Sequence, residues 1–170
     1  MGLETSSKRY AKALIGYGVE KDNLDILFSE FSSLIEMLED TEDLVSFIQN
    51  PTISKDIKQK VLDELISENL PNSSIIINLL SQNNRLDMLL DVCKGFIKQY
   101  NVHKDIVEVI VTTPIEISED IENSIKAYLN SIENGKIKLV KKRDESLIAG
   151  FTIDYNNTRL DASVKKRLEK

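Results

Sequence analysis

Ile106-Val107-Glu108-Val109-Ile110-Val111 is the stretch that divides this chain. Five of its six residues branch at Cβ, which suits an extended, half-buried strand and disfavours a helix. Pro114 closes the run. Before it, apolar residues recur every three or four positions; after it, alternation appears. The reading is therefore a mainly α protein, with an N-terminal six-helix bundle over residues 1–105 and a small α+β domain over residues 106–170. Charge changes at the same place. Up to Asp105 there are 11 basic and 17 acidic residues, and from Ile106 onward 11 of each, so the whole net charge of -6 lies in the first part.

Upstream of the divide, the pattern predicts six helices with short connections. Ser6 or Ser7 is expected to cap the first, whose apolar stripe is Tyr10, Ala13, Leu14 and Tyr17. Asp22 or Asn23 caps the second, with Leu24, Leu27, Phe28, Phe31, Leu34, Ile35 and Leu38 on one face. A short third helix bears Leu44, Phe47 and Ile48 and stops at Asn50-Pro51, because proline pushes its predecessor out of helical geometry. Ser54 caps a fourth, carrying Ile57, Val61, Leu62, Leu65 and Ile66. The last two run from about Ser73 to Gln82 and from about Arg85 to Tyr100.

Downstream, Ser118 caps a helix bearing Ile121, Ile125, Tyr128, Leu129 and Ile132, which Asn134-Gly135 ends. Lys136-Ile137-Lys138-Leu139 alternates as a strand does, and so does Ile148 to Tyr155, where Gly150 suggests a bulge or a close backbone approach. A sheet of about three strands is expected, with Asp161 opening a short basic last helix.

Composition narrows the function. Cys93 and His103 are the only Cys and His in 170 residues, too few for a zinc site or a disulfide framework. A pI near 5.0 argues against nucleic acid as the main partner. Gly16 and Gly18 lack a third glycine and a preceding strand, so no dinucleotide fingerprint is formed. The acidic group Glu36, Glu39, Asp40, Glu42 and Asp43 lacks calcium-loop geometry and reads as a solvated face. The basic block Lys136, Lys138, Lys141, Lys142 and Arg143 has no interleaved aromatic residue for base stacking. No catalytic, cofactor-binding or metal-binding residue is expected. No stretch resembles a signal peptide, and no apolar run approaches a membrane span.

The informative anomaly is a doubled stripe. The first helix carries Ala11, Ile15 and Gly18 beside its main stripe, and the fifth is apolar around most of its circumference through Ile75, Ile76, Ile77, Leu79 and Leu80. A stripe wider than one face implies contact on two sides. Together they point to an apolar groove that receives an amphipathic helix from a partner.

Arg9-Tyr10-Ala11-Lys12-Ala13-Leu14 resembles the opening motif of the delta subunit of bacterial F-type ATP synthases, whose mitochondrial counterpart is the oligomycin-sensitivity-conferring protein. Phe47 to Ile53, Leu79-Leu80, Asn84-Arg85-Leu86 and Phe96 continue the resemblance in order. So do Asp144 to Ile153 and Asp161-Ala162-Ser163-Val164 with Arg167-Leu168. Ala149-Gly150 stands where the family commonly has Gly-Gly. The resemblance implies a non-catalytic stator subunit, one copy per complex, peripheral on the cytoplasmic face of a bacterial membrane and bound to it only through the complex. It implies that Tyr10, Ala11, Leu14, Ile15, Gly18, Ile76, Leu79 and Leu80 form a groove for the alpha subunit's N-terminal helix. It also implies that the C-terminal part meets the end of the peripheral-stalk b subunit, with Ile148, Ala149 and Gly150 as the family signature. A free-standing helical adaptor with the same kind of groove is the alternative.

Overall fold

The computed structural model describes residues 2–66, 70–115, 118–132, 135–144, 147, 150–155 and 158–161. The chain forms two compact units, Met1–Tyr100 and Asn101–Lys170. The described part of the first unit is helical: α1 Gly2–Glu20, α2 Leu24–Asp40, α3 Glu42–Gln49, α4 Lys55–Ile66, α5 Ser74–Gln82 and α6 Leu89–His103. Single 3-10 turns, Pro71–Ser73 and Leu86–Met88, lead into α5 and α6. The tail of α6 reaches three residues into the second unit.

Spacing in α2 dictates the core. Leu24, Leu27, Phe31, Leu34 and Leu38 follow a three-four rhythm, so all fall on one stripe, and all are buried. Phe31 meets Phe96 of α6 edge to face, with centroids 4.8 Å apart and planes at 76°. Ala11, Leu14, Leu62, Ile66, Ile76, Ile77 and Leu80 are buried in the same unit. Cys93 is fully buried, and desolvation pushes its thiol up to about 12, so it acts as apolar filling.

Two helices end in the same device. Asp22 adopts φ 53°; its N–H donates to the Val19 carbonyl and that of Asn23 to the Gly18 carbonyl. Asn84, at φ 54°, and Arg85 repeat this on Ser81 and Leu80. These are Schellman closures built with Asp and Asn, which tolerate the left-handed region better than other side chains. Helix starts differ from expectation. Because α1 begins at Gly2, Ser6 and Ser7 lie inside it and are not its caps. Ser54 does precede α4, and its carbonyl accepts the first helical bond from Lys58 N–H at 3.2 Å.

A buried carboxylate fixes where α5 begins. Glu30 of α2 accepts from Ser73 N–H at 2.7 Å, from the Ser73 hydroxyl at 3.2 Å and from Asn72 Nδ2 at 2.6 Å. The carboxylate thus caps the 3-10 turn that feeds α5, where negative charge also meets the positive helix end. Glu30→Ala strands these donors in a buried position, and we expect a loss of about 1–3 kcal/mol, read from urea unfolding.

Tyr100 closes the first unit. Its ring stacks on Phe28 at 4.1 Å, and its hydroxyl donates to Asp25 Oδ1 at 2.7 Å. Burial, then the Asp25 hydrogen bond and charge, push its pKa from 10.0 to about 12. The folded state thus holds this proton more tightly than the unfolded state. The contribution is complete below about pH 10 and is lost as pH rises toward 12. Urea midpoints measured across that window should fall, and Tyr100→Phe should flatten this component of the profile.

The second unit contains β1 Ile106–Thr113, α7 Glu119–Ile132, β2 Lys136–Arg143, β3 Thr152–Tyr155 and β4 Thr158–Asp161. The sheet has four strands in the order β2-β1-β3-β4, against the three expected. β1 and β2 are parallel, in register from Ile106 with Lys136 to Thr113 with Arg143, and α7 is their crossover. β3 and β4 complete the sheet antiparallel. Val109, Val111 and Ile153 pack with Ile125 and Leu129 of α7.

Asp161 ends strand β4, and the helix expected to follow it falls on residues 162–170, outside the described residues. The strand expected from Ile148 begins only at Thr152, with Gly150 in a bend before it at φ 94°, a conformation that favours glycine. Gly135 does follow α7, but the reason glycine is needed is space. A Cβ there would lie 2.8 Å from the Asp105 carbonyl oxygen, which also accepts Lys136 N–H and so starts the β1–β2 pairing.

Candidate functional site: a cleft between α1 and α5

The first and fifth helices bound a surface cleft of about 430 Å³. Ser6, Arg9, Tyr10 and Ala13 of α1 line one wall, and Leu79 of α5 with Asn83 and Arg85 just beyond that helix line the other. Tyr10, Ala13 and Leu79 are the apolar part of this lining. Arg9 and Arg85 are exposed, so two guanidinium groups stand at its rim. Such a surface accepts the apolar stripe of an amphipathic helix and favours carboxylates on that helix's flank.

Two of the eight residues expected to line the groove do so. Tyr10 and Leu79 are half-buried and line the cleft. Ala11, Leu14, Ile76 and Leu80 are at most 2% exposed, so they form the core behind it. Ile15 is half-buried and lies outside the cleft lining. The small residues do allow close approach, but of the chain's own helices. A Cβ on Gly18 would come 2.8 Å from Leu24 Cδ1 of α2, and one on Gly95 of α6 would come 3.4 Å from Ala11 Cβ.

Ser6, Ala13, Asn83 and the two arginines were not anticipated as lining. Ala13 was assigned to the buried stripe, yet it is exposed. Of the signature residues, Ile148 and Ala149 lie outside the described residues, and Gly150 is exposed.

The basic block of the second unit is shared between the faces of β2. Lys141 Nζ reaches Glu122 of α7 at 2.6 Å, and Lys126 Nζ reaches the same carboxylate at 2.7 Å. Hydrogen bonds from Lys126 and Lys141 hold the Glu122 carboxyl down to about 2. Alternation along the strand sends Lys138 and Lys142 to the opposite face, so the block is not one surface. No group of metal-ligating side chains occurs among the described residues, and no helix among them is long and apolar enough to cross a membrane.

The described residues form a helical unit with an open cleft and a small unit built on a β-α-β crossover, an α-helical and α+β architecture with no metal-ligating group among them. Comparison with known proteins makes that class specific. The sequence model of the ATP synthase delta (OSCP) subunit matches residues 7–170. The ATP synthase subunit delta of Prochlorococcus marinus subsp. pastoris is 29% identical over 171 residues, covering 99% of this chain and 94% of that protein. The subunit delta of Pelagibacter ubique is 30% identical over 169 residues, covering 98% and 91%. A chain in the cryo-EM structure of the Toxoplasma gondii mitochondrial ATP synthase hexamer shares the fold, with TM-score 0.75 and 23% identity over 96% of this chain and 93% of that one. The chain belongs to the ATP synthase delta (OSCP) subunit family. It is a non-catalytic subunit, and membership implies the stator role of the peripheral stalk.

Proposed function

We propose that this chain links the alpha/beta catalytic head of a rotary ATP synthase to the peripheral-stalk b subunit, so that the head does not turn with the rotor. The observation that carries the reading is the cleft between α1 and α5, with Tyr10, Ala13 and Leu79 as its apolar lining and Arg9 and Arg85 at its rim. The N-terminal helix of an alpha subunit is the proposed occupant. Tyr10 and Leu79 touch it, while Ala11, Leu14, Ile76 and Leu80 hold the two walls from behind. Helix-in-groove packing gives a long-lived contact without chemistry, as a static link requires.

In this reading the six helices up to residue 105 act as one bundle serving the head. Residues 106–170 meet the C-terminus of the b subunit. One copy serves each complex, on the cytoplasmic face of a bacterial membrane and attached to it only through its partners. Titration of the full chain with a peptide of the cognate alpha N-terminus, followed by calorimetry, tests the groove. Saturable binding at micromolar concentration or below is expected. No binding by a chain shown to be folded would remove the groove from the account.

A further inference from the structure

A second cleft, of about 420 Å³, opens on the first unit where α4 begins. Ser54, Lys55 and Lys58 line it from that helix start, and Asn84 and Asp87 from the connection between α5 and α6. Lys58 is the unusual member. The residue is only 8% exposed, yet among the described residues its ammonium group makes no ion pair and no hydrogen bond. Its Nζ is not among the fully enclosed polar atoms, so the charge it carries opens into the cleft. A lysine whose stem is buried while its ammonium stays open to the cleft presents a donor to whatever enters there.

The helix start supplies the rest of a binding site. The first helical hydrogen bond of this twelve-residue helix runs from Lys58 N–H, so the N–H groups of Lys55, Asp56 and Ile57 have no partner within it. The Ser54 hydroxyl, placed to cap them, makes no hydrogen bond among the described residues. A helix start with free N–H groups, a serine and two lysines therefore border the same cleft. Asp87 is the acidic residue of the lining, and Asp56 lies in the first turn. No arginine lines the cleft, so the fork that favours planar carboxylates is missing, whereas lysine with backbone N–H groups suits a phosphate.

We propose that this cleft binds a phosphate group, free or as the end of a nucleotide, between the Lys58 ammonium and the first-turn N–H groups of α4. The probes are orthophosphate and ADP, titrated separately into the ¹⁵N-labelled full chain at constant ionic strength. Saturating amide shifts confined to residues 54–58 and 84–87 are expected. Equal affinities assign the site to free phosphate, and tighter ADP binding assigns it to a nucleotide. Lys58→Met keeps the aliphatic packing and should weaken binding by about tenfold, the loss of one charge-assisted contact. Asp87 is exposed, so Asp87→Asn preserves the fold; removing that negative charge should tighten binding severalfold. Shifts linear in phosphate or spread over the surface lysines, or binding indifferent to Lys58→Met, would overturn the proposal. Weaker binding by Asp87→Asn would overturn it too, even if Lys58→Met failed to fold.

Discussion

Leu79→Asp should weaken binding of the cognate alpha N-terminal peptide by about a hundredfold or more while leaving the fold in place. Leu79 is half-buried on α5 and forms the apolar wall opposite Tyr10 and Ala13. Covering a leucine contributes about 1.5–3 kcal/mol, which the variant forfeits. It also sets a carboxylate in the lining, where the docked helix would exclude water, and near the acidic flank that Arg9 and Arg85 favour. Two effects of the same sign make the change large, since about 1.4 kcal/mol is tenfold in affinity. The unfolded reference is unaffected, and the side chain is already partly solvated, so the far-UV spectrum and urea midpoint should change little. Calorimetry on both proteins measures the ratio. A change below about threefold would mean that the peptide binds elsewhere.

Phe96→Ala should cost about 3–5 kcal/mol of unfolding free energy, the largest stability loss expected from one side chain here. Phe96 is fully buried, meets Phe31 edge to face and lies 6.5 Å from the Tyr100 ring. Its removal leaves a cavity between α2 and α6 and ends an aromatic pair worth about 0.5–1.5 kcal/mol beyond its area. Domains of this size are stable by only about 5–15 kcal/mol, so the variant would stand close to the unfolding threshold. Urea unfolding followed by circular dichroism gives the value. A loss under about 1 kcal/mol would place the core elsewhere.

The helices were legible in the sequence because their evidence is local. The rhythm of Leu24, Leu27, Phe31, Leu34 and Leu38 is the α2 core face, and Asn50-Pro51 ends α3 as proline chemistry requires. What failed depended on neighbours distant in sequence or on conformations that residue type does not announce. Nothing in Asp22 or Asn84 says that its φ will be positive, and glycine is the residue one looks for at that position. Thr158 to Asp161 is too short and polar to read as a strand, and it becomes one because β3 lies beside it. Parallel pairing of β1 with β2 is likewise a tertiary event, enabled at Gly135 by lack of a Cβ.

The cleft was half legible. Doubled stripes pointed to α1 and α5, the two helices that border the cleft, since excess apolar surface on them must face something. They could not assign the faces, because a stripe of small residues suits an internal neighbour as well as a partner. Ala11 and Gly18 serve α6 and α2, and exposed Ala13 serves the cleft. Arg9 and Arg85 stood within the quoted motifs, but their convergence depends on the turn at Asn84.

The central claim is that one chain holds the head and the stalk together. It is tested most directly by native mass spectrometry of three components: this chain, the cognate alpha/beta head lacking its delta subunit, and a soluble b segment that includes the C-terminus. The account predicts a complex with one copy of this chain, in which the b segment is retained on the head only when the chain is present. Retention of the b segment without the chain, or a chain that binds either partner but never both at once, would contradict it.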